Sequence, residues 1–247
     1  PSIKSSLSDG LLKALDTKPK VEQKVETANP EAYEFYLKAK HKYEKRENTD
    51  DTEIARGFLS KAIELDDNLI SAKVLLGLTY FDMGDYDKAM EIYTPSFTQA
   101  TEIGDKYGIA SSLMYIGGLH VDKGEFDKAI DYAKQSLKIQ KELGDKFNMA
   151  KNLNVLGSAY HYKNDYEKSL NYSERALVIQ KQLDVKRGMG SSLGNIGGKF
   201  IEKGDYDNAL DYLERALAID EEIGDKEGIG KSLGGIGVVY WKKGDYD

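Results

Sequence analysis

The 247 residues carry 35 basic and 42 acidic side chains, a formal net charge of −7, 10% aromatics and no cysteine. The acidic balance argues against a nucleic-acid partner, which needs a basic face, and the missing cysteine excludes disulfides and thiolate metal sites. No run approaches the ~20 apolar residues that span a bilayer and no signal-peptide core is present, so a cytoplasmic chain with no membrane partner is expected.

Residues 1–16 predict an amphipathic helix, with Ile3, Leu7, Leu11, Leu12 and Leu15 on its apolar face. Residues 17–29, holding Pro19 and many Lys and Glu, read as a linker. Residues 30–67 predict a first, divergent helical hairpin, with helices over 30–47 and 51–65. From there one phrase returns every 40 residues: Gly84-Asp85-Tyr86-Asp87, Gly124-Glu125-Phe126-Asp127, Asn164-Asp165-Tyr166-Glu167, Gly204-Asp205-Tyr206-Asp207 and Gly244-Asp245-Tyr246-Asp247. A fixed period of this size marks a stacked-repeat architecture.

The repeats run over 68–105, 106–145, 146–185 and 186–225, and 226–247 is the first helix of another. In the unit 106–145, Tyr107, Ile109, Ala110, Leu113 and Ile116 fall three and four apart on one helical stripe. Gly124 stops that helix in a left-handed conformation, and Glu125 and Asp127 open the next near its positive end. Phe126, Ala129, Ile130, Ala133 and Leu137 form the second stripe. No segment alternates as a half-buried strand does. The chain is therefore predicted all-α, a right-handed superhelix of antiparallel hairpins. The final phrase breaks off at Asp247, which predicts a fragment of a longer polypeptide. It also predicts a homodimer through an open last helix carrying Ile236, Val239 and Tyr240.

The first helices read Leu76-Gly77-x-x-Tyr80, Ile116-Gly117-x-x-His120, Leu156-Gly157-x-x-Tyr160, Ile196-Gly197-x-x-Phe200 and Ile236-Gly237-x-x-Tyr240. The second helices carry Ala89, Ala129, Ser169 and Ala209, followed by Ser136-Leu137, Ala176-Leu177 and Ala216-Leu217. This pattern resembles the tetratricopeptide repeat over residues 30–247. The period of 40, with corners such as Ile103-Gly104-Asp105-Lys106, resembles the long-repeat branch of kinesin light chains and Pins-type adaptors. The linker and Asn29-Pro30-Glu31-Ala32-Tyr33 resemble the entry to repeat arrays that follow class III adenylate or guanylate cyclase domains in bacterial multidomain proteins. That resemblance implies a regulatory array controlling an attached cyclase by self-association or ligand binding.

Candidate chemistry is sparse. Residues 224–232 look like a phosphate loop, but five residues rather than four precede the Gly-Lys-Ser and no strand leads into it. His41, His120 and His161 sit in different units without metal-ligand spacing. His120 occupies the aromatic slot of Tyr80 and Tyr160 and reads as a packed ring. Asp85, Asp205 and Asp245 recur at every corner, as caps do and catalytic pairs do not. No unique polar constellation breaks the repeat, so no enzyme, cofactor or metal is expected.

The resemblance implies a concave groove lined by first helices, binding a peptide or protein segment. The residues it assigns to that groove are Ser71, Val74, Leu78 and Phe81, then Ser111, Met114 and Val121. Lys151, Asn154, Ser158, His161 and Tyr162 follow, then Ser191, Asn195 and Ile201, and last Lys231 and Trp241. The long-repeat adaptors hold peptide backbone with an asparagine two before the motif glycine. Here that slot holds Leu75, Tyr115, Val155, Asn195 and Gly235, so only Asn195 matches. Gly194, Gly197, Gly198, Gly234, Gly235 and Gly237 predict close helix contact or a partner chain lying against bare backbone.

Overall fold

The computed structural model describes residues 29–244; the helix expected over 1–16, most of the linker and the last corner lie outside the described residues. Two compact units divide at Tyr115 and Ile116.

In the first unit, α1 (Pro30–Glu44) and α2 (Thr49–Leu65) form the divergent hairpin. Asn29 caps α1 by accepting from the amides of Glu31 and Ala32, and proline stands at its first helical position, where no donor is missed. α1 ends three residues before the expected Glu47, because Lys45 and Arg46 turn back onto the carbonyls of His41 and Tyr43. Asn48 then accepts from Asp51 N and starts α2 at Thr49. Ala32, Ala39, Leu59 and Ala62 interlock with Leu69 and Ala72, the latter on α3 (Ile70–Phe81). α4 (Tyr86–Ile103) returns against α3 with Tyr93 fully buried, its ring occupying the space a side chain at Gly77 would need.

α5 (Lys106–Asp122) crosses the division between the units. In the second unit follow α6 (Phe126–Leu143), α7 (Lys146–Tyr162), α8 (Tyr166–Leu183), α9 (Lys186–Lys203), α10 (Tyr206–Ile223) and α11 (Lys226–Lys243). No strand occurs among the described residues. The recurring corner is a helix stop followed by a cap. Gly84, Gly124 and Gly204 take φ of 77°, 75° and 74°, and Asn164 fills the same left-handed position at 61°. The next carboxylate accepts from the amide three residues on, as Asp85 does from Lys88, Asp165 from Lys168 and Asp205 from Asn208. Glu125 departs from this. It caps nothing and instead reaches His120 Nδ1 at 2.6 Å and Lys128 Nζ at 3.1 Å.

Each hairpin of this unit is clamped by a stacked ring pair. His120 stacks on Tyr132 at 5.2 Å, Tyr160 on Tyr172 at 5.4 Å and Phe200 on Tyr212 at 5.4 Å. His120 is thus the packed ring its slot implied. Between hairpins, a buried polar seam repeats every 40 residues. Asn152 Nδ2 donates to Gln140 Oε1 at 3.1 Å, Ser192 Oγ to Gln180 Oε1 at 2.7 Å, and Ser232 Oγ approaches Asp220 Oδ2 at 3.4 Å. Burial, then the nearby Asp225, pushes the Asp220 carboxyl above its usual range. Pairing across repeats gives these polar groups a hydrogen-bond partner where burial has removed them from water.

Candidate partner-binding site

In the first unit, Ser71, Leu78, Phe81 and Ser111 are half-buried, while Val74 is 8% exposed and Met114 2%. Val74 and Met114 are therefore core residues. In the second unit, Lys151, Tyr162, Ser191, Asn195, Lys231 and Trp241 are exposed, and Val121, Asn154, Ser158 and His161 are half-buried. Ile201 is buried, packed with Ala209, Leu213 and Val239. Val74, Met114 and Ile201 expose too little surface to act as ligand contacts.

α7 and α9 bring several of the expected residues together. Asn154 Oδ1 accepts from Ser192 Oγ at 3.1 Å, which ties the amide to the buried seam and fixes its orientation. Tyr162 stacks on Phe126 at 5.4 Å yet is 58% exposed, so one ring face is free. His161 packs edge-on against Tyr162 and Tyr166, and its buried Nδ1 has no hydrogen-bond partner. Lys151 Nζ lies 4.7 Å over the Phe147 ring, while Lys231 pairs with Glu227 at 2.6 Å.

The residue that sequence reasoning missed is Lys199. Its slot holds Thr79, Leu119, Ala159 and Val239 in the other repeats, so a charge here does break the pattern, contrary to expectation. Lys199 is 3% exposed, and its amine donates to Ser173 Oγ at 3.1 Å and to the Asn195 carbonyl at 3.0 Å. Neither acceptor is charged, and burial pushes the amine down to about 8. His161 is held below the ordinary imidazole value, first by burial and then by Lys199. The signal was readable as a lysine in an otherwise apolar or small register; only packing revealed how fully it is enclosed.

The glycines divide into two kinds. A Cβ at Gly197 would lie 2.7 Å from Leu213 Cγ, and one at Gly235 2.9 Å from Leu213 Cδ2. Gly194, Gly198, Gly234 and Gly237 face open space. α11 also differs from the forecast for its open face. Val239 is fully buried, and the exposed apolar groups are Leu233, Val238, Tyr240 and Trp241. Residues 224–232 form no loop around an anion, since Gly224 ends α10 and helix resumes at Lys226. Among the described residues no cluster of His, Cys, Asp and Glu could hold a metal, and no helix is long and apolar enough to cross a membrane.

These hairpins, with small residues at the crossing and an aromatic clamp, match the family model described as tetratricopeptide repeat at residues 68–142, 109–182 and 188–247. The chain belongs to the tetratricopeptide repeat family. Among solved structures its repeats are similar to BtubC (BKLC) from P. vanneervenii at 23% identity and TM-score 0.60, covering 87% of this chain and 82% of that one. They are similar to a Rap protein complexed with Competence and Sporulation Factor at 16% identity and TM-score 0.70, covering 93% of this chain and 63% of that one. They are also similar to a kinesin light chain type protein with TPR-like repeats from Podosopora anserina, at 13% identity and TM-score 0.55, covering 80% and 99%. At such identities the likeness is one of fold. No curated protein sequence matches the chain.

Proposed function

We propose that this tetratricopeptide repeat chain is a non-catalytic interaction scaffold, and that the first-helix face of its second unit takes an extended peptide or protein segment. The observation that carries the reading is the set of exposed, chemically mixed groups on α7, α9 and α11: Tyr162, Asn195, Lys231 and Trp241. An aromatic face, an amide and a cation suit a peptide, which needs apolar contacts together with backbone hydrogen bonds. The Rap structure, which is complexed with Competence and Sporulation Factor, supports a partner of this kind. The open backbone at Gly194 and Gly198 leaves room for a chain to lie close.

The test is a pull-down comparing the wild type with a Tyr162→Ala/Asn195→Ala/Lys231→Ala variant. The variant is expected to recover partners at least tenfold less well while its circular dichroism is unchanged, since all three side chains are exposed. Equal recovery of every partner by both proteins would remove the groove.

The proposal extends to a homodimer through α11, whose Leu233 is 52% and Trp241 64% exposed. The equivalent Leu193 on α9 is 1% exposed, in the cluster that holds Ala216 of the following helix. Light scattering in 500 mM salt is expected to show self-association that Leu233→Ser/Trp241→Ser abolishes, because apolar contacts survive screening. A strictly monomeric wild type at high concentration would contradict it. Control of an attached cyclase rests on the sequence resemblance, and a full-length gene without such a domain would end that reading.

A further inference from the structure

The second helices of the second unit carry an exposed row whose charge inverts along the array. At equivalent repeat positions α6 presents Lys134, Lys138 and Lys141, whereas α10 presents Glu214, Ala218 and Glu221. On α6 the three lysines stand at i, i+4 and i+7, a spacing at which like charges repel along one helix face. Among the described residues none of them pairs with a carboxylate and neither Glu214 nor Glu221 pairs with a cation, although ion pairs are common elsewhere on this surface. The basic row borders a cleft of about 430 Å³ between α6 and α8. Leu137 and Tyr172 line it with apolar surface, Arg175 adds a fourth cation, and Glu142 is the one acid in its lining. The Arg175 guanidinium lies 5.3 Å over the Tyr172 ring and forms no salt bridge among the described residues.

The two rows match in spacing as well as sign. Lys134 and Lys141 are seven residues apart, as are Glu214 and Glu221, so each pair spans ~10 Å along its helix. Within one chain α6 and α10 do not pack together. Two copies laid side by side can bring them into register. We propose that the basic row and cleft of α6 and α8 dock the acidic row of α10 on a second copy of this chain. The contact is heterologous: one patch meets a different patch, so each copy keeps a free end and association grows with concentration rather than closing at a pair. It is also electrostatic and exposed, so salt weakens it, since the screening length falls from roughly 20–30 Å at about 10–20 mM salt to about 3 Å near 1 M. This separates it from the apolar α11 contact.

Sedimentation velocity of the intact chain over a concentration series tests the proposal. In 20 mM salt the weight-average mass is expected to rise with concentration, and 500 mM salt should weaken association at least tenfold. Lys134→Glu/Lys138→Glu/Lys141→Glu and Glu214→Lys/Glu221→Lys should each lose the salt-sensitive association, because one carries two acidic rows and the other two basic ones. An equimolar mixture of the two variants should associate again. Circular dichroism is the control, expected to show that these surface changes leave the helices intact. A wild type that shows no low-salt association, or a mixture that does not associate, overturns the proposal. So does a monomeric wild type whose cleft binds poly-glutamate, which would assign the basic row to a different acidic partner.

Discussion

Replacing Lys199 with methionine is expected to raise the melting temperature at pH 7 by about 5 °C. Lys199 is 3% exposed, its amine between a hydroxyl and a carbonyl, with no carboxylate among the described residues bonded to it to offset the lost hydration. A buried ion replaced by an apolar side chain of similar length is commonly neutral or stabilising, and methionine has the reach and flexibility to fill the same space. The pH dependence identifies the cause. Burial lowers the folded-state value from 10.5 to about 8, whereas the unfolded amine keeps its proton to about 10.4. Between these values the unfolded chain binds more protons, so stability rises with pH across that window. Below pH 8 the full penalty is present, on the order of 3 kcal/mol.

The advantage of Lys199→Met should accordingly shrink between pH 8 and 10, read as the difference between paired thermal melts. Removing the charge should also raise the titration midpoint of His161, because Lys199 is one of the two causes holding it down. A variant that melts lower than the wild type, or a gap constant from pH 7 to 10, would show that the lysine is not held at the expense of stability.

Gly197→Val is expected to cost about 3 kcal/mol, while Gly198→Ala next to it should gain up to about 1 kcal/mol. Both glycines lie within α9, where glycine is a poor helix former. At Gly197 a Cβ would sit 2.7 Å from Leu213 Cγ and 3.3 Å from the Ala209 carbonyl, so α10 would have to move away. Close packing leaves little room for such a shift. At Gly198 nothing lies within 4 Å, so the added methyl meets no neighbour and the helix gains propensity. Urea unfolding of the two variants decides the matter, and two changes of the same sign would mean that the crossing of α9 and α10 is looser than its contacts indicate. Should Gly198→Ala stabilise the chain yet weaken partner recovery, the methyl would be standing where a bound segment approaches the backbone.

Much of this molecule was legible in its residues. The Gly-Asp-Tyr-Asp corner specifies a left-handed stop and a cap from local chemistry alone, and Gly84, Gly124 and Gly204 with Asp85 and Asp205 behave as that chemistry requires. His120 could be placed because its slot is aromatic in other repeats, and it stacks on Tyr132. The face of each first helix was harder. Val74, Met114 and Ile201 share helical positions with exposed or half-buried residues elsewhere, yet are enclosed by their neighbours. Burial depends on what packs opposite, and a single helix's periodicity does not contain that.

The sequence by itself determined the all-α hairpins, their 40-residue period and their caps, because these follow from contacts within a few residues of one another. Tertiary structure alone decided that Lys199 is enclosed without a counter-charge, that Gln140, Gln180 and Asp220 face a polar partner in the next hairpin, and that Gly197 is packed while Gly198 is open. The physical reason is common to all three: each depends on how close a neighbouring helix comes, and that separation is set by the side chains of both helices together.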